Sequence, residues 1–368
     1  MISYIPKIIY VDPSVLNSPI TKHILASYPD IPVEMSATQP KFLNEADRFK
    51  DPLLEGKKRL WITKNQGKLL KKCGAATSRL SNMVCCNYYI LDFAFNCHFE
   101  CVYCFLQEYT NQPLMIVYAN IEEMLASVQE TLDQSTSNHI RIGTGEMADS
   151  LALDRVTGFS KHLVPFFAKQ KRAFLELKTK STEIGHLLNL DPKGQTVVAW
   201  SVNPASYVTQ FDLKTASLEE RILAAHQCVK AGYKVAFHLD PIIALLDWKG
   251  AYQDLIDQLL DQFEPVWLSL GALRFNKTLK NIIRKRFPRN PIVTGEMIMA
   301  PDGKKRYVRP LRQDLYQTLL SYIQKKTTRV PTYFCMETEV VWQKTAGYQP
   351  ASEQDLEAHI VSSVAETC

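Results

Sequence analysis

Six short apolar runs recur between residues 87 and 273, and helical stretches fill most of the gaps between them. The runs are NYYILDF (87–93), HIRIGTG (139–145), FLELKT (174–179), TVVAWSV (196–202), KVAFHLD (234–240) and VWLSLGAL (266–273). Strands that read as near-continuous apolar stretches belong to sheets covered on both faces. Alternation with helices calls for parallel strands joined by right-handed crossovers. Six β/α units suit a partial, open barrel better than a closed eight-fold one. The helices carry their own signals. One starts at about Ile121, with Asn120 and Glu123 as a capping box and Ile121, Met124, Leu125, Val128 and Leu132 as its apolar face. A second is capped by Ser217 and Glu220 and closed by Gly232, and a third covers about 251–263.

The 368 residues exceed what one simple core usually holds. The expected organisation is an N-terminal region (1–80) rich in proline, a barrel (81–345) with an insertion at 276–312, and a polar, disordered tail (346–368). A helix at 312–325 and a last strand, PTYFCME (331–337), follow the insertion. There is no run of 18 apolar residues, so no membrane span is expected. MISYIPKIIYVDP lacks the layout of a signal peptide. Cytoplasmic residence is the expectation.

There are nine cysteines, an odd number, and six lie between Cys73 and Cys104. That crowding points to metal chemistry rather than a disulfide framework. The segment FNCHFECVYCF (95–105) spaces Cys97, Cys101 and Cys104 as C-x3-C-x2-C. Three thiolates on one loop can face one [4Fe–4S] cube and leave its fourth iron open. An open iron can chelate the amino and carboxylate groups of S-adenosylmethionine. The competing reading is a zinc site, with Cys85 or Cys86 as fourth ligand.

With those residues in view, the chain resembles the radical S-adenosylmethionine superfamily, whose signature has an aromatic before the third cysteine, here Tyr103. More narrowly it is similar to the spore photoproduct lyase family. The matching stretches are CVYCFLQEYTNQP, VYANIEEML, KTKSTEIGHLL, WSVNPASYV, ASLEERILAAHQCVKAGY and YFCMETEVVW, across about residues 85–345. The resemblance implies a partial (β/α)6 radical SAM barrel and S-adenosylmethionine contacts from Lys180 and Ser201. It also implies lesion repair on DNA, with electrons from a donor such as flavodoxin or ferredoxin. Two of the family's hydrogen-relay positions differ. Phe105 stands where a tyrosine is expected, and Glu146 where the hydrogen-donor cysteine is expected.

Gly143, Gly145 and Glu146 instead resemble a glycine-glycine-glutamate motif, in which the glycines let backbone approach the cofactor and the acid accepts from its ammonium. His238 and Asp240 share one side of a strand at its C-terminal end. They are candidate substrate contacts or proton carriers, or else a buried hydrogen-bonded pair. Cys335 is a candidate hydrogen donor, or an inert buried thiol.

Net charge is +5, yet residues 277–312 hold eleven Lys and Arg against Glu296 and Asp302, leaving −4 for the rest. MIMA-PDG-KKRYV reads as a basic hairpin. Lys304, Lys305, Arg306 and Arg309 are candidate phosphate contacts, and Tyr307 a ring for base stacking. Three functions stay open: a lesion-acting enzyme on DNA, a radical enzyme for RNA, peptide or sugar, and a non-enzymatic nucleic-acid-binding metalloprotein.

Overall fold

The computed structural model describes residues 4–42, 48–73, 83–86, 88–137, 140–347, 350 and 352–365. Asn87 and His139, each the first residue of a predicted strand, lie outside the described residues. Three strands open the chain: β1 (Ile8–Val11), β2 (Val33–Met35) and β3 (Arg59–Thr63). Then come β4 (Leu70–Lys72), β5 (Met83–Val84), β6 (Tyr89–Leu91), β7 (Ala94–Phe95), β8 (Glu100–Cys101) and β9 (Met115–Tyr118). The repeating part holds β10 (Ile140–Gly143), β11 (Ala173–Thr179), β12 (Thr196–Ser201), β13 (Asp212–Leu213), β14 (Lys234–Ile242) and β15 (Leu268–Ala272). Last are β16 (Arg274–Phe275), β17 (Ile298–Met299), β18 (Lys305–Arg306), β19 (Thr332–Phe334) and β20 (Glu337–Thr338).

The main sheet has eight strands in the order β19-β15-β14-β12-β11-β10-β6-β4. The six predicted strands form its parallel centre. β19 adds a seventh parallel strand, and β4 pairs antiparallel with β6. The sheet curls without closing, and a short antiparallel ribbon, β5 with β20, joins its two edges. This is the open partial barrel expected from the β/α rhythm.

Residues 1–80 do not stand apart from the barrel. A second sheet runs β2-β1-β3-β9-β7, so β7 and β9, flanking the cysteine loop, complete the N-terminal strands. That loop is thus anchored to a sheet on both sides. Within the tail expected to be disordered, Glu353–Ala365 is a helix, and Leu356 and Ile360 are fully buried. No helix among the described residues is long and apolar enough to cross a membrane.

Of the two predicted capping boxes, one forms. Ser217 Oγ accepts from the Glu220 N–H and the Glu220 carboxylate accepts from the Ser217 N–H. Asn120 makes no cap. Its Oδ1 accepts from the Asn65 N–H (3.0 Å) and its amide donates to Glu123 (2.9 Å), so a tertiary contact takes the side chain the helix would use. The basic hairpin forms as β17 against β18, with Gly303 at φ 76° in the turn. It carries a third strand, β16, and its trailing helix starts at Arg309.

Candidate active site

Strand register determines which side chains meet. Gly143 lies opposite Glu176, Lys178 opposite Ala199, Ser201 opposite His238, and His238 opposite Ser269. Ser269 lies opposite Tyr333. Steps of two then place Arg141, Glu176, Lys178, Ala199, Ser201, His238, Asp240, Gly271, Tyr333 and Cys335 on one face. That face is the concave one. Arg141 Nη2 on β10 donates to Tyr333 Oη on β19 at 3.0 Å, across four intervening strands, which only the inside of a curl allows.

The floor of this lumen is a buried polar network. Arg141 Nε donates to Glu176 (2.7 Å), and its guanidinium lies over the rings of Tyr88, Trp267 and Tyr333. His238 Nε2 is 2.9 Å from Glu176 Oε1 and also accepts from Trp267 Nε1 at 3.3 Å. An indole N–H can only donate. Nε2 cannot accept from the indole and donate to the carboxylate at once; burial keeps the imidazole neutral, so the contact with Glu176 is no ion pair at neutral pH. Burial pushes His238 down to about 4. Burial alone would raise Glu176, but Arg141 outweighs it and holds the carboxyl well below its usual range.

The His238 shift has a stability consequence. Below pH 6.5 the unfolded chain protonates this histidine and the native one does not until about 4. Stability is full above pH 6.5 and falls as pH drops through this window. We expect a loss of roughly 2 kcal/mol between pH 6.5 and 5 from this group, read by urea unfolding as the difference between wild type and His238→Asn. Equal pH slopes would refute it.

His238 and Asp240 are not a pair with each other. Asp240 faces Arg274 at 3.2 and 3.3 Å, and Arg274 Nη2 lies 3.6 Å from Cys335 Sγ. Burial alone would raise the Asp240 carboxyl; Arg274 and Lys178 hold it well below its usual range. Burial raises the Cys335 thiol to about 12, so it stays an S–H. Gly271 makes room, since a Cβ there would sit 2.6 Å from the Asp240 carboxylate. The motif glycines serve packing in the same way. A Cβ on Gly143 would meet the Tyr88 ring at 2.7 Å, and one on Gly145 would meet Lys178 at 2.7 Å. Their crowding comes from the protein itself. Glu146 is half-buried in the loop after β10, within electrostatic reach of Lys178 and Lys304.

The cysteine loop sits over the lumen rim. Cys97, Cys101 and Cys104 are free thiols packed around Phe99, Tyr103 and Ala152. Lys180 reaches this cluster, with Nζ 5.7 Å from the Tyr103 ring centre. Burial pushes Cys97 up to about 12 and raises Cys101 and Cys104, with Cys104 also raising Cys97 and Cys101. The donor set fits a cubane: three thiols from one loop, one buried and two half-buried, beside a lysine. Metal ligation displaces the protons that burial now holds. Among the described residues no three His, Cys, Asp or Glu side chains gather tightly enough for a single ion. Cys86 lies instead beside Cys85, Arg141 and Glu176, away from the position a fourth zinc ligand needs.

Several residues that build the site escape the motif reading. Tyr103 Oη donates to Asp212, Asp212 pairs with Arg221 at 3.0 Å, and Arg221 donates to the Ser201 carbonyl at 2.8 Å. This buried chain ties the loop to the barrel and occupies the Tyr103 hydroxyl. Glu100 is gripped by Lys57 (2.6 Å) and by Arg286, which also pairs with Asp51 (2.8 Å). Asp149 accepts from the N–H groups of Lys180 (2.7 Å), Leu151 (3.0 Å) and Ala152 (2.9 Å). One of these was legible. Arg221 stands on the stripe Leu218, Ala225, Cys228 of its helix, where a charge must have a buried partner.

The basic segment divides. Arg306 is 1% exposed and paired with Asp302 at 2.6 Å, and Tyr307 is 5% exposed with its hydroxyl accepting from the Ala244 N–H. Neither can touch a phosphate or stack on a base; Arg306 closes the hairpin's own turn and Tyr307 ties the ribbon to the barrel. Arg312 is likewise buried against Glu337 (3.0 Å). Lys304 and Lys305 are half-buried, and Arg309 is exposed, as are Lys277, Arg284, Lys285 and Arg289.

Comparison with known proteins now gives this geometry a lineage. The family model of spore photoproduct lyase matches residues 4–327. The chain belongs to the spore photoproduct lyase family, within the radical S-adenosylmethionine superfamily. A spore photoproduct lyase of a Geobacillus species is 26% identical over 334 residues, covering 88% of this chain and 96% of that one. The Bacillus subtilis lyase is 24% identical over 310 residues, covering 83% and 87%. A solved lyase double mutant with bound AdoMet and dinucleoside spore photoproduct superposes with a TM-score of 0.79 over 90% of this chain and all of that one, at 22% identity. The curled eight-strand sheet is therefore the family's fold.

Proposed function

We propose that this family member is a radical S-adenosylmethionine enzyme acting on a pyrimidine lesion in DNA. The observation that carries the reading is three free thiols, Cys101 buried and Cys97 and Cys104 half-buried, held together beside Lys180 at the mouth of a polar lumen. A lyase of this fold has been solved with AdoMet and dinucleoside spore photoproduct. Cys97, Cys101 and Cys104 would hold a [4Fe–4S] cluster; with S-adenosylmethionine bound, it supplies a 5′-deoxyadenosyl radical. Lys180, Ser201 and Glu146 border the cofactor, Glu146 as acceptor for its ammonium. Phe99, Tyr103 and Ala152 keep water from the thiols. Asp240 and Arg274 orient the substrate's side of the lumen, and Cys335 keeps its hydrogen within reach of it.

Turnover tests the reading directly. Anaerobically reconstituted protein, with a low-potential reductant and S-adenosylmethionine, should convert spore-photoproduct DNA to thymine-containing DNA. Release of 5′-deoxyadenosine without any lesion reversal would move the substrate to RNA, a peptide or a sugar. Phe105 and Glu146 favour that second reading, because neither supplies the family's hydrogen relay. The cations that reach solvent, half-buried Lys305 and exposed Arg309, make a separate expectation. Lys305→Ala and Arg309→Ala should each lower the salt slope of duplex binding by about one. Arg306→Ala should instead lower the melting temperature, by leaving Asp302 unpaired. Unchanged salt slopes would remove DNA from this face.

A further inference from the structure

Side chains do not store a low-potential electron, so a cluster held by Cys97, Cys101 and Cys104 must be charged from outside. Electron transfer falls off steeply with distance, so the carrier has to sit against the supports of the cysteine loop. The helix Leu279–Arg286 is one of those supports. The residue before it, Thr278, donates its N–H at 3.0 Å to Glu108, on the short helix that follows Cys104. Its last residue, Arg286, donates to Gln107 Oε1 at 2.6 Å, and Gln107 Nε2 donates to the Cys101 carbonyl at 3.2 Å. Two hydrogen bonds thus join this helix to a candidate ligand residue. Arg286 and Cys104 also border one small cavity, which no lumen side chain lines.

The exposed side of the same segment is cationic and unopposed. Residues 277–289 contain Lys277, Lys280, Arg284, Lys285, Arg286 and Arg289 and no Asp or Glu. Arg286 turns inward to Asp51 and Glu100, and Lys280 Nζ donates to the Gly295 carbonyl at 2.8 Å. The other four, Lys277, Arg284, Lys285 and Arg289, are exposed, and none makes an ion pair among the described residues. A helix favours cations in its last turn, which accounts for Arg284 and Lys285. It does not account for Lys277 and Arg289, which lie beyond its two ends. Four unpaired cations on so short a segment repel one another and attract an anionic partner.

Position selects which anion. A duplex gains nothing from lying on the supports of the cysteine loop, because its lesion must enter the lumen. An electron carrier has to lie there. We propose that Lys277, Arg284, Lys285 and Arg289 form the docking surface for an acidic one-electron carrier protein, with Arg286 and Gln107 as the bonded path inward. One electron passes from the carrier's reduced cofactor to the cluster, the carrier leaves oxidised by one electron, and no proton or covalent bond changes hands. This rests on the radical reading above, and it sets these four cations apart from Lys305 and Arg309.

The test pairs the reconstituted holoenzyme with an acidic flavodoxin. Binding is measured at low salt, and cluster reduction by reduced flavodoxin is followed by electron paramagnetic resonance. The double variant Arg284→Glu/Lys285→Glu should bind flavodoxin at least about tenfold more weakly and be reduced more slowly by a similar factor. The difference should close at about 1 M salt. Both side chains are exposed and hold no carboxylate, so the fold should stand; should it not, Arg284→Gln/Lys285→Gln is read by the same comparison. Lys169→Glu/Lys230→Glu makes the same charge change at exposed lysines elsewhere and should stay within about threefold of wild type. Dithionite, which needs no docking, should reduce the cluster equally in all of them, and duplex DNA affinity should stay within about threefold. Wild-type flavodoxin binding and reduction in Arg284→Glu/Lys285→Glu overturn the proposal, as does an equal loss in the control pair. A larger loss of duplex affinity gives the face to DNA and overturns it too. A wild type whose cluster dithionite cannot reduce overturns the radical reading itself, and this docking surface with it.

Discussion

Cys101→Ala is expected to leave the protein without its cluster, with iron content near background and no 5′-deoxyadenosine released. The cube needs three protein corners, and Cys101 is the buried middle one, on β8 between Cys97 and Cys104. Its removal leaves two ligands and a gap that water can fill. The loop should survive the change, because its anchors do not involve the thiol. Glu100 keeps Lys57 and Arg286, and Gln107 Nε2 still donates to the backbone carbonyls of residues 101 (3.2 Å) and 102 (2.9 Å). Cys228→Ala is the matched control. That thiol is fully buried on the helix Leu218–Lys230, so its loss costs packing and no iron. Iron retained in Cys101→Ala at the wild-type level would rule the loop out as the cluster site.

Arg221→Met should be the most destabilising single change in the loop's supports, at about 3–5 kcal/mol in urea unfolding. Arg221 is fully buried and bonds Asp212, Thr215 and the carbonyls of Ala216 and Ser201. Methionine fills the volume but leaves the Asp212 carboxylate buried and charged with no cation. Tyr103, which donates to Asp212, then loses its fixed partner, and cluster occupancy should fall alongside stability. Asp212→Asn in the same chain should return part of the loss, because it removes the stranded charge. A drop below about 1 kcal/mol in Arg221→Met would mean that water reaches Asp212.

These two variants also mark where reading the sequence succeeds and where it stops. The cysteine spacing and the β/α rhythm are local patterns, and six strands and the cysteine loop could be read from them. Most of the buried ion pairs could not, because they join residues far apart in the chain, and even the pair of Arg306 with Asp302, four residues away, depends on the hairpin's turn. Arg306 and Tyr307 show the cost. As letters they form a basic, aromatic run suited to nucleic acid. In space Asp302 neutralises one, and the Ala244 N–H occupies the other. Asn120 fails as a cap for the same reason, since Asn65 competes for its side chain.

By itself the sequence determined that a parallel α/β core forms and that three thiols share one loop, since hydrophobic periodicity and short spacing act over a few residues. Only the tertiary structure decided which polar side chains enter the lumen together. Register between strands places Lys178 opposite Ala199, and the sheet's curl brings Arg141 to Tyr333. It also decided which cations remain free, because a buried charge must find its counter-charge, and that partner is chosen by the fold and not by the neighbouring letters.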